Sequence, residues 1–147
     1  MILDIRAIRR TGKDQQDFYF EYALEQELSD IPNVKVLSPV KVNGTITLTG
    51  THEAFVEGEV IFTLSGECTK CLTETNREYV SEFAEEVFEG NAEGYSVVND
   101  RIDLSKIITD AILINMPVTL LCIDDCKGLC AGCGVNLNDE QCKCKNK

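Results

Sequence analysis

The chain has one histidine, His52, and few basic residues: 14 Lys and Arg stand against 25 Asp and Glu, for a formal net charge of -11. The lone imidazole lies in a short polar stretch with no cysteine or serine framed beside it, so it reads as an exposed loop residue rather than a base or a ligand. The acidic excess makes long-range electrostatics repel nucleic acid. No run approaches the roughly 20 apolar residues that span a membrane. A glycine-rich phosphate loop, a paired-carboxylate spacing, a long-period repeat and a low-complexity tract are all missing. The start Met1-Ile2-Leu3-Asp4-Ile5-Arg6 lacks the apolar core and cleavage site of a secretory signal. These absences point to a non-enzymatic chain, with no catalytic residue to name, expected in the cytoplasm with its thiols reduced.

What is present is a globular composition, 44% hydrophobic and 27% charged, in 147 residues. That length suits a single core of ordinary size. Against this background the eight cysteines stand out. They fall into four close pairs, Cys68/Cys71, Cys122/Cys126, Cys130/Cys133 and Cys142/Cys144, and six of the eight lie in the last 26 residues. Two thiolates separated by two residues can face one tetrahedral Zn²⁺ ion, and a structural site needs two such pairs. Four pairs suffice for two structural four-cysteine zinc sites. Gly134, directly after Cys133, supplies the positive φ that a knuckle turn needs just past its second ligand. Cys142 and Cys144 depart from the two-residue gap, but residues i and i+2 of an extended segment face the same side.

Other thiol chemistry fits less well. Disulfides suit an oxidising compartment. A redox-active Cys68-Thr69-Lys70-Cys71 should follow a strand and open a helix, whereas here it stands between two strand-like runs. Cys126, Cys130 and Cys133 match the three-cysteine spacing of radical enzymes, but those build a large barrel that this chain is too short to form.

The first hundred residues read mainly as strand. Val56, Gly58, Val60, Phe62 and Leu64 alternate with Phe55, Glu57, Glu59, Ile61 and Thr63 and run directly into Cys68. Ile46 and Leu48 alternate with threonines before the expected hairpin loop at 50–54. Residues 17–24 and 34–42 are further strand candidates, the second interrupted by Pro39. Residues 78–88 fit both periods: Tyr79, Phe83 and Val87, with Val80, Ala84 and Phe88, satisfy a helical i, i+4 template, while their aromatic and β-branched content suits a strand. One helix is expected near 103–115, with Asp103 as N-cap, a buried face of Leu104, Ile107, Ile108, Ala111 and Ile112, and Pro117 beyond its end. The fold expected is α+β, with an antiparallel β-rich body and one long helix (1–117), then a Cys-rich zinc-knuckle tail (118–147).

The ordered set Gly66-Glu67-Cys68-Thr69-Lys70-Cys71-Leu72, Ile102-Asp103-Leu104, Leu113-Ile114-Asn115-Met116-Pro117 and the cysteine run from Cys122 to Asn138 resembles the YceD family, the large ribosomal RNA subunit accumulation proteins. The likeness extends from Met1 to Cys144. It implies a part in accumulation or maturation of large-subunit ribosomal RNA without catalytic activity. It also implies that the site nearest the C-terminus is dispensable, because some relatives lack the tail cysteines.

The partner expected is therefore a ribosomal precursor particle, reached through a ribosomal protein or large-subunit rRNA. Arg6, Arg9, Arg10 and Lys13, and Lys127, Lys143, Lys145 and Lys147, are the local basic clusters, and 82–93 is an acidic stretch suited to a basic protein. Two readings of other classes stay open: a thiol or zinc redox sensor or thiol enzyme, which needs exposed low-pKa thiols, and a zinc-ribbon nucleic-acid-binding module, which needs the basic clusters on one face. The partition expected joins Cys68 and Cys71 to Cys122 and Cys126, closing a loop of about fifty residues at modest entropic cost. Cys130, Cys133, Cys142 and Cys144 make the second site.

Overall fold

The computed structural model describes residues 2–24, 27–142 and 144. In chain order its elements are β1 (Ile2–Asp4), α1 (Ile5–Arg10), β2 (Gln15–Tyr22), β3 (Val34–Val36), β4 (Val40–Gly50), β5 (Glu53–Glu67), β6 (Glu74–Phe88), β7 (Arg101–Asp103) and α2 (Ser105–Ile114). All strand pairings are antiparallel. β6 runs the whole length of one side of β5, so β4 and then β3 share the other side, and β2 lies beyond β4. β1 and β7 form a separate two-stranded ribbon.

Period-two patterning decides which face of the sheet is buried. Val42, Ile46, Val56, Val60, Phe62, Leu64, Phe83 and Val87 point inward and are nearly inaccessible. The layer packed on them contains Ile5 and Ile8 of α1, Ile102 of β7, and Leu104, Ile107, Ile108, Ala111 and Ile112 from the segment that becomes α2. Burying each such large aliphatic side chain contributes roughly 1.5–3 kcal/mol before entropic costs.

The region with two sequence readings, 78–88, is a strand paired with β5 throughout. The ambiguity has a simple origin. Positions four apart share a face in both a helix and a strand, so Tyr79, Phe83 and Val87 satisfy either template. The neighbouring stripe of Val80, Ala84 and Phe88 decides between them, because all three lie on the opposite face and are exposed.

The expectation of one long helix is corrected. α2 has ten residues, and a second, six-residue helix, α1, precedes it. Asp4 caps α1, accepting from the Arg6 and Ala7 N–H groups at 2.9 and 3.3 Å. Asp103 lies in β7 rather than at the helix boundary, yet its carboxylate still accepts from Ser105 N–H at 2.9 Å. At the other end, Ser81 donates to the Ala111 carbonyl at 2.7 Å and receives from Asn115 Nδ2 at 2.6 Å, fastening the last turn of α2 to β6.

The β4–β5 hairpin turns through Thr51 and His52 where a loop is expected, and Pro39 stands between β3 and β4 rather than inside a strand. Gly44 and Gly58 face each other across β4 and β5. A Cβ on Gly58 would lie 2.1 Å from the Asn43 carbonyl oxygen, so only bare backbone fits there. Among the described residues no helix is long and apolar enough to cross a membrane.

Candidate metal centres

The first cysteine pair sits at the tip of the β5–β6 hairpin, immediately past the last strand pair, Glu67 with Glu74. Cys68 N–H donates to the Thr73 carbonyl at 2.8 Å, and Leu72 N–H donates back to the Cys68 carbonyl at 2.9 Å. This closes a tight turn with Leu72 in the left-handed region, at φ 63°. After α2 the chain returns to that tip. Thr69 N–H donates to the Leu120 carbonyl at 2.7 Å, and Leu120 N–H donates to Thr69 Oγ1 at 3.2 Å. Arg77 reaches out from β6 to the Leu121 carbonyl at 3.2 Å and to Asp124 at 2.8 Å. Cys122 and Cys126 are thereby laid beside Cys68 and Cys71.

The four sulfurs form a closed group. Cys68 and Cys126 are 3.6 Å apart, Cys71 and Cys122 3.5 Å, and Cys122 and Cys126 3.7 Å. Four sulfurs at about 2.3 Å from a tetrahedral ion would be about 3.8 Å from one another, so the cluster has the dimensions of a thiolate cage. A covalent S–S bond is about 2.05 Å, and none of the eight cysteines forms one. Cys68, Cys71 and Cys126 are buried.

The second group joins Cys130, Cys133, Cys142 and Cys144, with ligand atoms, as in the first group, all within 4.8 Å of one another. Cys130 lies 3.3 Å from Cys142 and 3.6 Å from Cys144. Its knuckle repeats the first. Cys130 N–H donates to the Val135 carbonyl at 2.9 Å, and Gly134 N–H donates to the Cys130 carbonyl at 2.9 Å. Gly134 has φ 76°, as its place after Cys133 predicts. Gly132 has a separate role: a Cβ there would stand 2.5 Å from Cys144 Sγ. The sulfurs thus assemble in the two groups expected, the second from cysteines close together in the chain and the first across the long loop between Cys71 and Cys122.

Electrostatics within both groups follow from knuckle geometry. Burial pushes the Cys68 thiol up, but hydrogen bonds from the backbone at Cys71, Cys122 and Lys70 outweigh it and bring the value down to about 6. The Thr73 hydroxyl, 3.2 Å from Cys71 Sγ, lowers that thiol as well. Cys122 is pushed up to about 12 by burial and by the neighbouring sulfurs of Cys71, Cys126 and Cys68. In the second group the backbone at Cys133, then the Cys142 thiol and the backbone at Gly132, bring Cys130 down to about 6. Crowding by Cys142, Cys130 and Cys133 takes Cys144 up to about 12. Each cage therefore favours a thiolate at its knuckle and resists further negative charge. A bound divalent cation removes that resistance. An all-sulfur donor set at this spacing is compatible with zinc.

Sequence reasoning missed the groups around the cages. Asn138 receives the Lys127 N–H at 2.9 Å through Oδ1 and donates Nδ2 to Cys126 Sγ at 3.3 Å, linking the second loop to the first cage. Leu129 N–H donates to the Lys70 carbonyl at 3.3 Å, and Gly128, at φ 79°, packs against Lys70.

Three of the remaining charged candidates, His52, Arg6 and Arg9, are engaged within the body. His52 Nδ1 lies 2.7 Å from Asp100 Oδ1, and Arg6 Nε donates to Asp100 Oδ2 at 2.6 Å. Asp100 is buried, and those two partners hold its carboxyl below the usual carboxylate range. Arg9 donates to the Gly50 and Thr51 carbonyls at 2.8 and 3.2 Å. Arg6 and Arg9 thus strap α1 to the loop before β7 and to the β4–β5 turn. Lys143, Lys145 and Lys147 lie outside the described residues.

A β body whose longest hairpin ends in one four-cysteine group, with a second group following it in the chain, defines a small protein able to hold two metal ions. A family model described as large ribosomal RNA subunit accumulation protein YceD matches residues 56–147, from β5 through all eight cysteines. The chain belongs to this family. The match leaves out β1 to β4, so it is narrower than the resemblance read from motifs along the whole chain. An uncharacterized protein of Mycobacterium leprae is 34% identical over 98 residues, covering 59% of this chain and 44% of the relative. The large ribosomal RNA subunit accumulation protein YCED homolog 1, chloroplastic, of Arabidopsis thaliana is 44% identical over 43 residues, covering 29% of this chain and 13% of that protein. Its counterpart of the same name in Zea mays is 40% identical over 52 residues, covering 35% and 18%. The chain spans less than half the length of these relatives. No solved structure matches it.

Proposed function

We propose that this chain is a non-enzymatic factor for large-subunit ribosomal RNA accumulation, acting in the cytoplasm on ribosomal precursor particles through a scaffold stapled by two structural Zn²⁺ ions. The observation that carries the reading is the family match, which covers most of β5 and all of β6, β7, α2 and every cysteine. Cys68, Cys71, Cys122 and Cys126 would hold one ion, and Cys130, Cys133, Cys142 and Cys144 the other. Four thiolates per ion leave no open position for a reacting water, which supports a structural role. His52, turned toward Asp100, likewise has a structural partner. In this reading residues 1–117 form the body and 118–147 the tail, and the first ion fastens one to the other.

Two measurements test the proposal. Metal analysis of freshly purified protein is expected to give about two zinc ions per chain, and fewer than one would count against both sites. In cells lacking the gene, large-subunit rRNA should fall relative to small-subunit rRNA and recover with the wild-type chain. An unchanged ratio on loss of the gene would remove the ribosomal role.

A further inference from the structure

The face of the sheet turned away from the helices is acidic. On β5 the outward positions include Glu57 and Glu59, and on β6 they include Glu78, Glu82 and Glu86. Register places Glu59 directly opposite Glu82, and Glu67 opposite Glu74. Like charges directly opposite each other oppose strand pairing. The cations sharing this face among the described residues are Lys35 of β3 and Lys41 of β4.

The acids do not stand alone. Along β6 they alternate with exposed apolar positions, Glu78-Val80-Glu82-Ala84-Glu86-Phe88. Val80 is 53% exposed and faces the partly buried Ile61 across the ladder. Glu85, in the middle of the same acidic run, pairs with buried Val56 and points to the other side of the sheet. Strand alternation separates it from its neighbours.

We propose that this outer face is the docking surface for a Lys/Arg-rich polypeptide segment. The inference deepens the ribosomal reading and rests on it for biological setting, since it names the partner class. Charge complementarity selects the occupant. An acidic face repels RNA phosphates and draws in cationic side chains. The apolar positions between the acids favour a polypeptide over a small polyamine, because Lys and Arg lay aliphatic stems on apolar surface while their charged ends reach carboxylates.

The test uses the full chain and a twelve-residue peptide with Lys or Arg at alternate positions, with binding followed by fluorescence anisotropy at physiological salt. A face variant carries Glu57→Gln, Glu59→Gln, Glu82→Gln and Glu86→Gln. A control with the same change in net charge carries Asp30→Asn, Glu93→Gln, Asp125→Asn and Asp139→Asn. Peptide affinity should fall about tenfold or more in the face variant and less than about twofold in the control. A single-stranded RNA of twelve nucleotides should not bind the wild-type chain. Equal losses in the two variants, no loss in either, or preference for RNA would overturn the proposal. Removing the Glu59/Glu82 opposition should leave the melting temperature unchanged or higher. If the fourfold variant does not fold, the Glu59→Gln/Glu82→Gln double variant carries the same comparison, with retained affinity as the overturning result. Binding is read on purified protein and rRNA accumulation in cells, so the docking face fails on the first measurement and the ribosomal reading on the second.

Discussion

The two knuckles share one backbone design and differ in what stands behind it. In each, the first cysteine donates its N–H to a carbonyl five residues on and accepts from the N–H four residues on. In each, the residue after the second cysteine has a positive φ, at Leu72 and at Gly134. The first knuckle is the end of a hairpin of two 15-residue strands, and its sulfurs meet a segment delivered by α2. The second is built within the tail, and its cysteines are half-buried or exposed. Similar local chemistry thus serves two ends. A site whose ligands come from distant parts of the chain couples metal binding to folding of the body, whereas a site made from one short segment orders that segment.

The largest expected effect comes from breaking this asymmetry at its ligands. Cys71→Ser should lower the melting temperature by about 10 °C or more, because the β5–β6 tip and the segment after α2 lose their common anchor. Cys142→Ser should lower it by about 2 °C or less. Thermal melts followed by circular dichroism decide the matter, and equal losses would mean that the two sites contribute alike.

Burial makes a kinetic prediction. With a strong chelator and a colorimetric zinc indicator, release should occur in two phases, the exposed site emptying at least about tenfold faster because it opens without disturbing the core. Cys133→Ser should abolish the fast phase and Cys71→Ser the slow one. The opposite assignment would reverse the comparison.

A smaller effect separates the two turns. Leu72 has an L side chain in the left-handed region, which costs roughly 1–2 kcal/mol, while Gly134 avoids that strain. Leu72 is 57% exposed, so little burial is lost when its side chain is removed. Leu72→Gly should therefore raise stability by up to about 1 kcal/mol after the entropic cost of glycine. Gly134→Ala should weaken zinc at the second site about fivefold. Isothermal titration against a competing chelator measures the latter, and an unchanged affinity would show that the turn is not constrained there.

The smallest prediction concerns a strap in the body away from the cysteines. The carboxyl of Asp100 is held low by His52 and then Arg6. Because its value in the folded protein lies below that in the unfolded chain, its contribution is present above the ordinary carboxylate range near pH 4 and is lost as pH falls through the folded value. Asp100 has φ 59°, which Asn tolerates. Asp100→Asn should flatten the decline in melting temperature below about pH 4 without altering zinc release. Parallel pH curves for the two proteins would remove the strap.

Much of the framework was legible in the residues. The buried face of α2 is the set Ile107, Ile108, Ala111 and Ile112, with buried Leu104 directly before the helix, because a 3.6-residue period has one solution there. Strand alternation leading into Cys68 placed the first knuckle between strands, and the knuckle is their hairpin end. The weak points were those where local pattern was degenerate or partners were remote. The 78–88 stretch fits two periods until β5 pairs with it. Arg6 and His52 carry no mark of converging on Asp100, 94 and 48 residues away.

Cysteine spacing by itself determined that sulfurs come in pairs able to share an ion, and alternation determined that the body is a sheet with one buried face, since both depend on residues close in the chain. Tertiary structure alone decided that Leu72 would be held in a glycine-like turn, that Glu82 and Glu86 would face solvent while Glu85 turned inward, and that Asn138 would reach Cys126. Those outcomes depend on strand register and on how the chain folds back after α2. They are set by the free energy of burying the whole core, which no local window of sequence contains.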